Sequence, residues 1–99
     1  MERNPDDKLS YFLKPDGTVR PVMPDQDPTF NTRELHAFVG EQIDLACRMP
    51  DGYLLFYNKD GIAGGLSVNE EATALCEEVK GKGNVIAGNA LLAHPEHVK

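Results

Sequence analysis

The chain has 99 residues, 40% of them hydrophobic, which is enough apolar material for one modest core and therefore for one domain. Its formal charge is −6, from 16 acidic and 10 basic residues, so it lacks the basic footprint of a nucleic-acid binder that follows phosphates. There is no run of 18 apolar residues to predict a membrane span, and the polar start of the chain does not resemble a signal peptide, so we expect a cytoplasmic location.

The first predicted structured element is a β-hairpin. It follows residues 1–8, which have no apolar periodicity and are expected to form a flexible tail. Residues 14–17 (KPDG) suit a tight turn between the apolar stretches at residues 11–13 and 19–22. Because Pro21 lacks a backbone donor, the second strand should be an edge strand or end there.

A short helix is predicted next, at residues 32–39. Asn31 and Glu34 have the spacing of a capping box, in which each side chain accepts a hydrogen bond from the backbone amide of the other residue. Gly40 is expected to end the helix. The apolar face that should dock on a sheet consists of Leu35, Phe38 and Val39.

A second hairpin follows this helix. Residues 43–49 alternate between apolar and polar side chains, as expected of a strand with one buried face. Residues 50–52 (PDG) suit a turn, and residues 53–57 (YLLFY) are apolar at every position. A strand that is apolar on both sides is normally covered on both faces or central in its sheet, and we expect this for residues 53–57.

A glycine-rich loop leads into the second predicted helix. Residues 58–61 (NKDG) suit another turn, and residues 62–63 allow a brief third strand. Ser67 and Glu70 have the spacing of a second capping box, and Gly81 is expected to end the helix. The predicted core stripe of this helix consists of Val68, Ala72, Leu75, Cys76 and Val79.

The final strand is predicted at residues 85–93, with a C-terminal tail at residues 94–99. The order ββ-α-ββ(β)-α-β defines one α+β domain at residues 9–93, with a mainly antiparallel sheet and two short helices packed on one face. A sheet curled into a half-barrel is the alternative, because YLLFY is apolar on both sides. The predicted core is Phe12, Val19, Leu35, Phe38, Val39, Ile43, Leu45, Cys47, Leu55, Tyr57, Leu75, Val79, Ile86 and Leu91.

The loop and helix start at residues 58–71 raise the question of a phosphate site, because glycine-rich loops that open a helix often bind phosphates. The glycines do not match the dinucleotide fingerprint or the P-loop, and Glu70 and Glu71 in the first helical turn would repel an anion. A structural loop is therefore the favoured interpretation. The alternative is a small-ligand protein that binds a signalling nucleotide or another phosphate-bearing molecule through Lys59, Gly64, Gly65 and Asn69.

No pattern in the sequence predicts catalysis or a cofactor. His94 and His97 have an H-x-x-H spacing that could hold a metal, but no third ligand is evident. Cys47 and Cys76 lie on predicted apolar faces and should be free, buried thiols. An enzyme would need a pocket that brings His36 beside Cys47 or a carboxylate. We therefore predict a non-enzymatic protein without metal or cofactor.

The remaining expectation is a protein partner, with no nucleic acid and no membrane bound. The exposed edge at residues 19–23 could add a strand to another sheet, either in a homodimer or in a different protein. A further alternative is an acidic inhibitor that mimics the phosphates of DNA, for which the candidate carboxylates are Asp25, Asp27, Glu70, Glu71, Glu77 and Glu78.

Residues 65–73 carry the pattern G-L-x-x-N-x-x-A-T, and Glu34-Leu35, residues 58–61 and residues 85–88 add weaker patterns. In these features the stretch from about residue 34 to 92 resembles a family of small bacterial, plasmid and phage domains of unknown function. Ser67 departs from that family, which often has proline there. The resemblance implies a small accessory protein, often carried on a mobile element, with no known reaction and no catalytic residues to transfer.

Overall fold

The computed structural model describes all 99 residues and contains one five-stranded antiparallel sheet and two α-helices, which confirms the α+β class. The strand order is β2-β1-β5-β4-β3, so the sheet is open at β2 and β3 and is not closed into a barrel. The strands are β1 (Ser10–Leu13), β2 (Val19–Val22), β3 (Ile43–Arg48), β4 (Leu54–Asn58) and β5 (Ala90–Ala93). The helices are α1 (Thr32–Val39) and α2 (Glu70–Lys80), and single 3₁₀ turns lie at Pro5–Asp7 and Pro95–His97.

The two helices cover opposite faces of the sheet, so the prediction that they share one face is wrong. Successive side chains of a strand point to opposite faces. In β4, Leu55 belongs to the larger core beneath α2, whereas Phe56 packs against the smaller core beneath α1. In β5, Leu92 likewise belongs to the larger core and Leu91 to the smaller core. Covering both faces accounts for the continuous apolar run YLLFY, whose predicted two-sided environment is confirmed.

Helix α1 has the bounds that its capping residues predict. The Asn31 side chain accepts from the Glu34 amide at 2.8 Å, and the Glu34 carboxylate accepts from the Asn31 amide at 3.1 Å. Leu35, Phe38 and Val39 pack in the core beneath this helix.

Helix α2 begins two residues later than the predicted capping box. Its N-cap is Asn69, whose side chain accepts from the Ala72 amide at 3.0 Å, while Ser67 is exposed and precedes the helix. Ala72, Leu75 and Cys76 are buried as predicted. The two ends of the predicted stripe, Val68 and Val79, are exposed.

Strand β3 contains a register shift that the alternation of its sequence does not show. Leu45 is opposite Phe56, and Cys47 is opposite the next residue of β4, Leu55, so Ala46 is an extra residue in the ladder. This bulge buries Ala46 and Cys47 and leaves Leu45 44% exposed. The prediction of Leu45 in the core is therefore wrong, and Val19 is likewise exposed, on the edge strand β2.

The end of the chain packs more closely than the sequence predicts. The final strand is only Ala90–Ala93, and the residues before it contribute an isolated bridge between Val68 and Ala87. Residues 62–63 lie in a turn and form no third strand. Both segments expected to be tails, residues 1–8 and 94–99, contact the domain, and His94 and His97 are buried.

Candidate functional site

The glycine-rich loop at residues 58–68 is held by its own backbone hydrogen bonds. The Gly64 amide donates to the Asp60 carbonyl at 2.8 Å, and the Leu66 amide donates to the Gly61 carbonyl at 2.9 Å. A third bond, from the Gly88 amide to the Ser67 carbonyl at 2.8 Å, ties the end of the loop to the chain that leads into β5. The loop is therefore a fixed structure without any ligand to order it.

Two of its glycines have structural reasons to be glycine. A Cβ atom on Gly61 would collide with the Ala87 carbonyl oxygen, so no side chain fits at this position. Gly65 has a φ of +75°, a conformation that L side chains rarely adopt. Close approach and turn geometry therefore explain why these two positions are glycine.

The Asn69 side chain is fully engaged inside the protein. Its amide group donates to the Leu13 carbonyl at 3.1 Å and to the Gly88 carbonyl at 2.9 Å, and its oxygen caps α2 by accepting from the Ala72 amide. The residue has no exposed surface. Asn69 therefore has no group to offer a ligand, and its predicted role as a ligand contact does not fit this geometry.

The other predicted ligand residues do not line a cavity. Lys59, Gly64 and Gly65 are exposed, and Glu70 lies at the start of α2. One cavity, of about 590 Å³, is a polar depression beside Arg3, Asp7, Tyr11 and Asp51. The other, of about 80 Å³, lies between α2 and the sheet and is lined by Ala46, Tyr57, Cys76, Lys80, Asn84, Val85 and Ile86.

The same loop presents large apolar side chains to solvent. Ile62 is 63% exposed, Leu66 46% and Val68 49%. The Leu66 side chain packs against Gly88, so close that a Cβ atom added to Gly88 would lie 2.8 Å from the Leu66 Cδ1 atom. Val68 forms the isolated bridge to Ala87. We refer to residues 61–68 as the apolar loop. Periodicity does not predict this surface: Ile62 and Leu66 belong to no repeating pattern, and Val68 is part of the predicted core stripe of α2.

The arrangement required for thiol catalysis is not present. His36 lies on α1, whereas Cys47 belongs to the core on the opposite face of the sheet, beneath α2. Both cysteines are buried and free, as predicted. Burial, followed by the proximity of Cys76, raises the pKa of Cys47 to about 11, so the thiol stays protonated at neutral pH. No group of three or more His, Cys, Asp or Glu side chains could hold a metal ion.

The carboxylates considered for DNA mimicry do not form one surface. The Asp25 amide donates to the Glu34 carboxylate at 2.9 Å, which places Asp25 beside the start of α1. Glu70, Glu71, Glu77 and Glu78 are on α2, which covers the other face of the sheet.

Both free edges of the sheet are poorly suited to strand addition. The Lys14 amide donates to the Thr18 carbonyl at 3.0 Å, so Thr18 points its backbone groups towards β1. Alternate residues of an antiparallel strand point their backbone groups in opposite directions, and those of Val19 and Pro21 are therefore directed away from β1, towards the open edge. Pro21 has no N–H to donate at this edge. At the other edge the Leu45 amide donates to the Asp44 carboxylate at 2.8 Å, beside the bulge. These features disfavour partner binding through the edge at residues 19–23.

A buried polar cluster joins Ser10, His94 and His97, and only part of it has a signal in the sequence. The Ser10 hydroxyl lies 2.7 Å from Nδ1 of His97 and accepts from the His94 amide at 2.9 Å. Burial, with a smaller contribution from His94, lowers the pKa of His97. The sequence shows the spacing of the two histidines, but it does not indicate their contact with Ser10, which is 84 residues from His94.

The fold and these sites define an open α+β sheet protein with an exposed apolar loop and no metal cluster. Comparison with family models, with curated proteins and with solved structures returned no match. Neither α1 nor α2 has the length and hydrophobicity needed to cross a membrane.

Proposed function

We propose that this chain is a small, non-enzymatic accessory protein of the cytoplasm that acts by binding another protein through the apolar loop. The observation that carries the proposal is the exposure of Ile62, Leu66 and Val68 on a loop whose backbone is already hydrogen-bonded. These three exposed residues lie within seven positions of the sequence, and exposed apolar patches are typical of protein interaction sites.

The rigidity of the loop favours binding. A flexible loop loses conformational entropy when it is ordered by a partner, and this loss reduces affinity. The hydrogen bonds from Gly64 to Asp60 and from Leu66 to Gly61 fix the loop before any partner arrives. Much of the free energy from burying Ile62 and Leu66 would therefore contribute to association.

The charges near the loop favour a partner with an apolar pocket and a basic rim. Asp60 immediately precedes the loop, and Glu70 follows it at the start of α2, with Lys59 as the single nearby cation in sequence. The next residue, Glu71, is paired with the N-terminal ammonium group at 3.1 Å. A net charge of −6 opposes self-association at low salt. These charges favour a different, basic protein over a second copy of this chain.

The proposal can be tested by crosslinking and affinity capture from a lysate of the source organism. Ile62→Ser and Leu66→Ser should each reduce capture of the specific partner at least tenfold, because they remove apolar contact without changing charge. Leu45→Ser is the matched control, since Leu45 is similarly exposed but lies on β3. Binding should also weaken as salt is raised.

Three outcomes would contradict the proposal. The loop variants could capture the same proteins as the wild type, or the control variant could lose capture equally. Alternatively, light scattering could show a dimer that dissociates in Leu66→Ser, which would identify a second copy as the occupant of the loop.

A further inference from the structure

The hydrogen bonds around His94 and His97 indicate that Nδ1 of each ring acts as an acceptor. Nε2 of His94 lies 2.7 Å from the Pro5 carbonyl oxygen, which can only accept, so Nε2 is the donor. Nδ1 of His94 accepts from the Glu96 amide at 3.0 Å, and through this bond the ring caps the 3₁₀ turn at Pro95–His97.

The same reasoning applies to His97 through the serine. The Ser10 oxygen already accepts from the His94 amide, and Nδ1 of His97, at 2.7 Å, is the one acceptor within reach of the hydroxyl proton. The hydroxyl therefore donates to an unprotonated Nδ1. A proton on this nitrogen would reverse the bond and leave the hydroxyl of a fully buried serine without an acceptor.

We propose that the cluster of Ser10, His94 and His97 is a pH-sensitive switch that holds residues 94–98 on the domain while the His97 imidazole is neutral and releases them in mild acid. A proton on Nδ1 of His97 would take away the acceptor of the buried Ser10 hydroxyl, whose oxygen also accepts from the His94 amide at the start of the segment. It would also place a positive charge beside the His94 ring, because the two ring centroids are 5.4 Å apart.

No carboxylate hydrogen-bonds to either ring to stabilise a charged imidazole. Glu96, on the same segment, is exposed and lies 3.5 Å from Lys8 in a solvated ion pair, and its charge opposes the lowering of the His97 pKa as the smallest of the three contributions. Tyr53 packs on the His94 ring with centroids 5.3 Å apart, and Arg3 lies over the Tyr53 ring.

The remaining groups around His94 and His97 are paired, distant or apolar. Asp51 is paired with Arg3 at 2.9 Å, and Asp7 is the other carboxylate close enough to influence Tyr53. On the face of the sheet covered by α1, the uncharged ring of Phe30 packs on His97.

Release would uncover a defined surface. The His97 carbonyl accepts from the Phe30 amide at 2.8 Å, and the two rings pack edge to face with centroids 5.6 Å apart. Val98 adds to the core beneath α1. Loss of the segment would expose Phe30 immediately before α1 and Tyr53 immediately before β4.

The direction of the pH effect follows from linkage. Burial lowers the pKa of His97, so the released segment takes up protons more readily than the docked one. The docked state is therefore favoured fully above the ordinary histidine pKa of about 6.5 and loses population as the pH falls through that value. At pH 5.5 the opening equilibrium should rise by up to about tenfold through the His97 imidazole.

The test uses the full chain and nuclear magnetic resonance. At pH 7.5 the imidazole ¹⁵N shifts of His94 and His97 should report the neutral form with the proton on Nε2. Between pH 7.5 and 5.5, amide exchange corrected for its intrinsic pH dependence should increase at Phe30 and His97. It should remain slow at Leu55 in the ladder between β4 and β5.

Two variants separate the switch from general acid sensitivity. His94→Asn with His97→Asn retains an acceptor at each Nδ1 position without a titratable group, and should remove the pH dependence. His36→Asn is the control, because it removes the third histidine and should leave the response unchanged.

The proposal would be overturned by a proton on either Nδ1 at pH 7.5, by pH-independent exchange at Phe30, or by parallel loss of protection at Leu55, which indicates global unfolding. The tautomer measurement needs only the wild type, so it decides the matter even if the double variant does not fold.

Discussion

The side chain of Asn69 connects three parts of the chain that are distant in sequence. Its amide group bonds to the carbonyls of Leu13, at the end of β1, and Gly88, before β5, while its oxygen begins α2. In a site without solvent access, these carbonyls depend on donors within the protein, and Asn69 supplies one to each. The residue thus fixes the position of α2 relative to the centre of the sheet.

Asn69→Ala should lower the free energy of unfolding by about 2–4 kcal/mol, because it removes a helix cap and leaves two buried carbonyls without this donor. Ser67→Ala is the control and should change it by less than about 0.5 kcal/mol, since Ser67 is exposed and is not the cap. Urea denaturation measures both.

Asn69→Asp separates the two roles of the side chain, because it keeps the capping oxygen but removes both donors. It should also be destabilised. An Asp variant as stable as the wild type would show that the bonds to Leu13 and Gly88 contribute nothing to stability. A large loss of stability in Ser67→Ala would show that Ser67 caps α2, as predicted from the sequence.

Among the helices, α2 shows that the strand it packs against determines which of its predicted core residues are buried. The helix packs against β3, which is an edge strand, so no further strand is present to cover its last turn. Leu75 is therefore buried beneath the middle of the helix, whereas Val79, one turn later on the predicted stripe, is 42% exposed.

Leu75→Ala should cost about 2–5 kcal/mol of stability, because it opens a cavity in the larger core. Val79→Ala should stay within about 0.5 kcal/mol, since it removes an exposed side chain and alanine has the higher helix propensity. Thermal and urea unfolding of the two variants, side by side, provide the comparison. Equal destabilisation by both substitutions would mean that α2 is rotated relative to this description.

For the whole molecule, β5 is the element that joins the two cores. It is the central strand, and all four of its residues are buried. Leu92 faces the core beneath α2, and Leu91 faces the core beneath α1. Because one strand supports both layers, neither layer should unfold while the other remains intact.

Leu91→Ala and Leu92→Ala should each cost about 2–5 kcal/mol, as expected for leucines with no exposed surface. Both variants should still unfold in one transition, with calorimetric and van't Hoff enthalpies that agree. Differential scanning calorimetry provides this test. Two resolved transitions in either variant would show that the layers on the two faces are separate folding units.

Features that depend on neighbours a few residues apart can be predicted from the sequence alone. The capping box of Asn31 and Glu34 sets the start of α1, the turns at residues 14–17 and 50–52 join antiparallel strands, and the run YLLFY indicates cover on both faces. These signals are local, because turn and cap chemistry act through the adjacent backbone.

The tertiary structure determines which face each helix covers, because an apolar stripe shows that a helix docks but does not identify the side of the sheet. It also decided between Ser67 and Asn69 as the cap, since both residues suit that position and only Asn69 reaches the carbonyls of Leu13 and Gly88. The hydrogen bond between Ser10 and His97 joins residues that are 87 positions apart in the sequence. No local pattern predicts it, because it forms only when the pairing of β1 with β5 brings Ser10 close to the residues that follow β5.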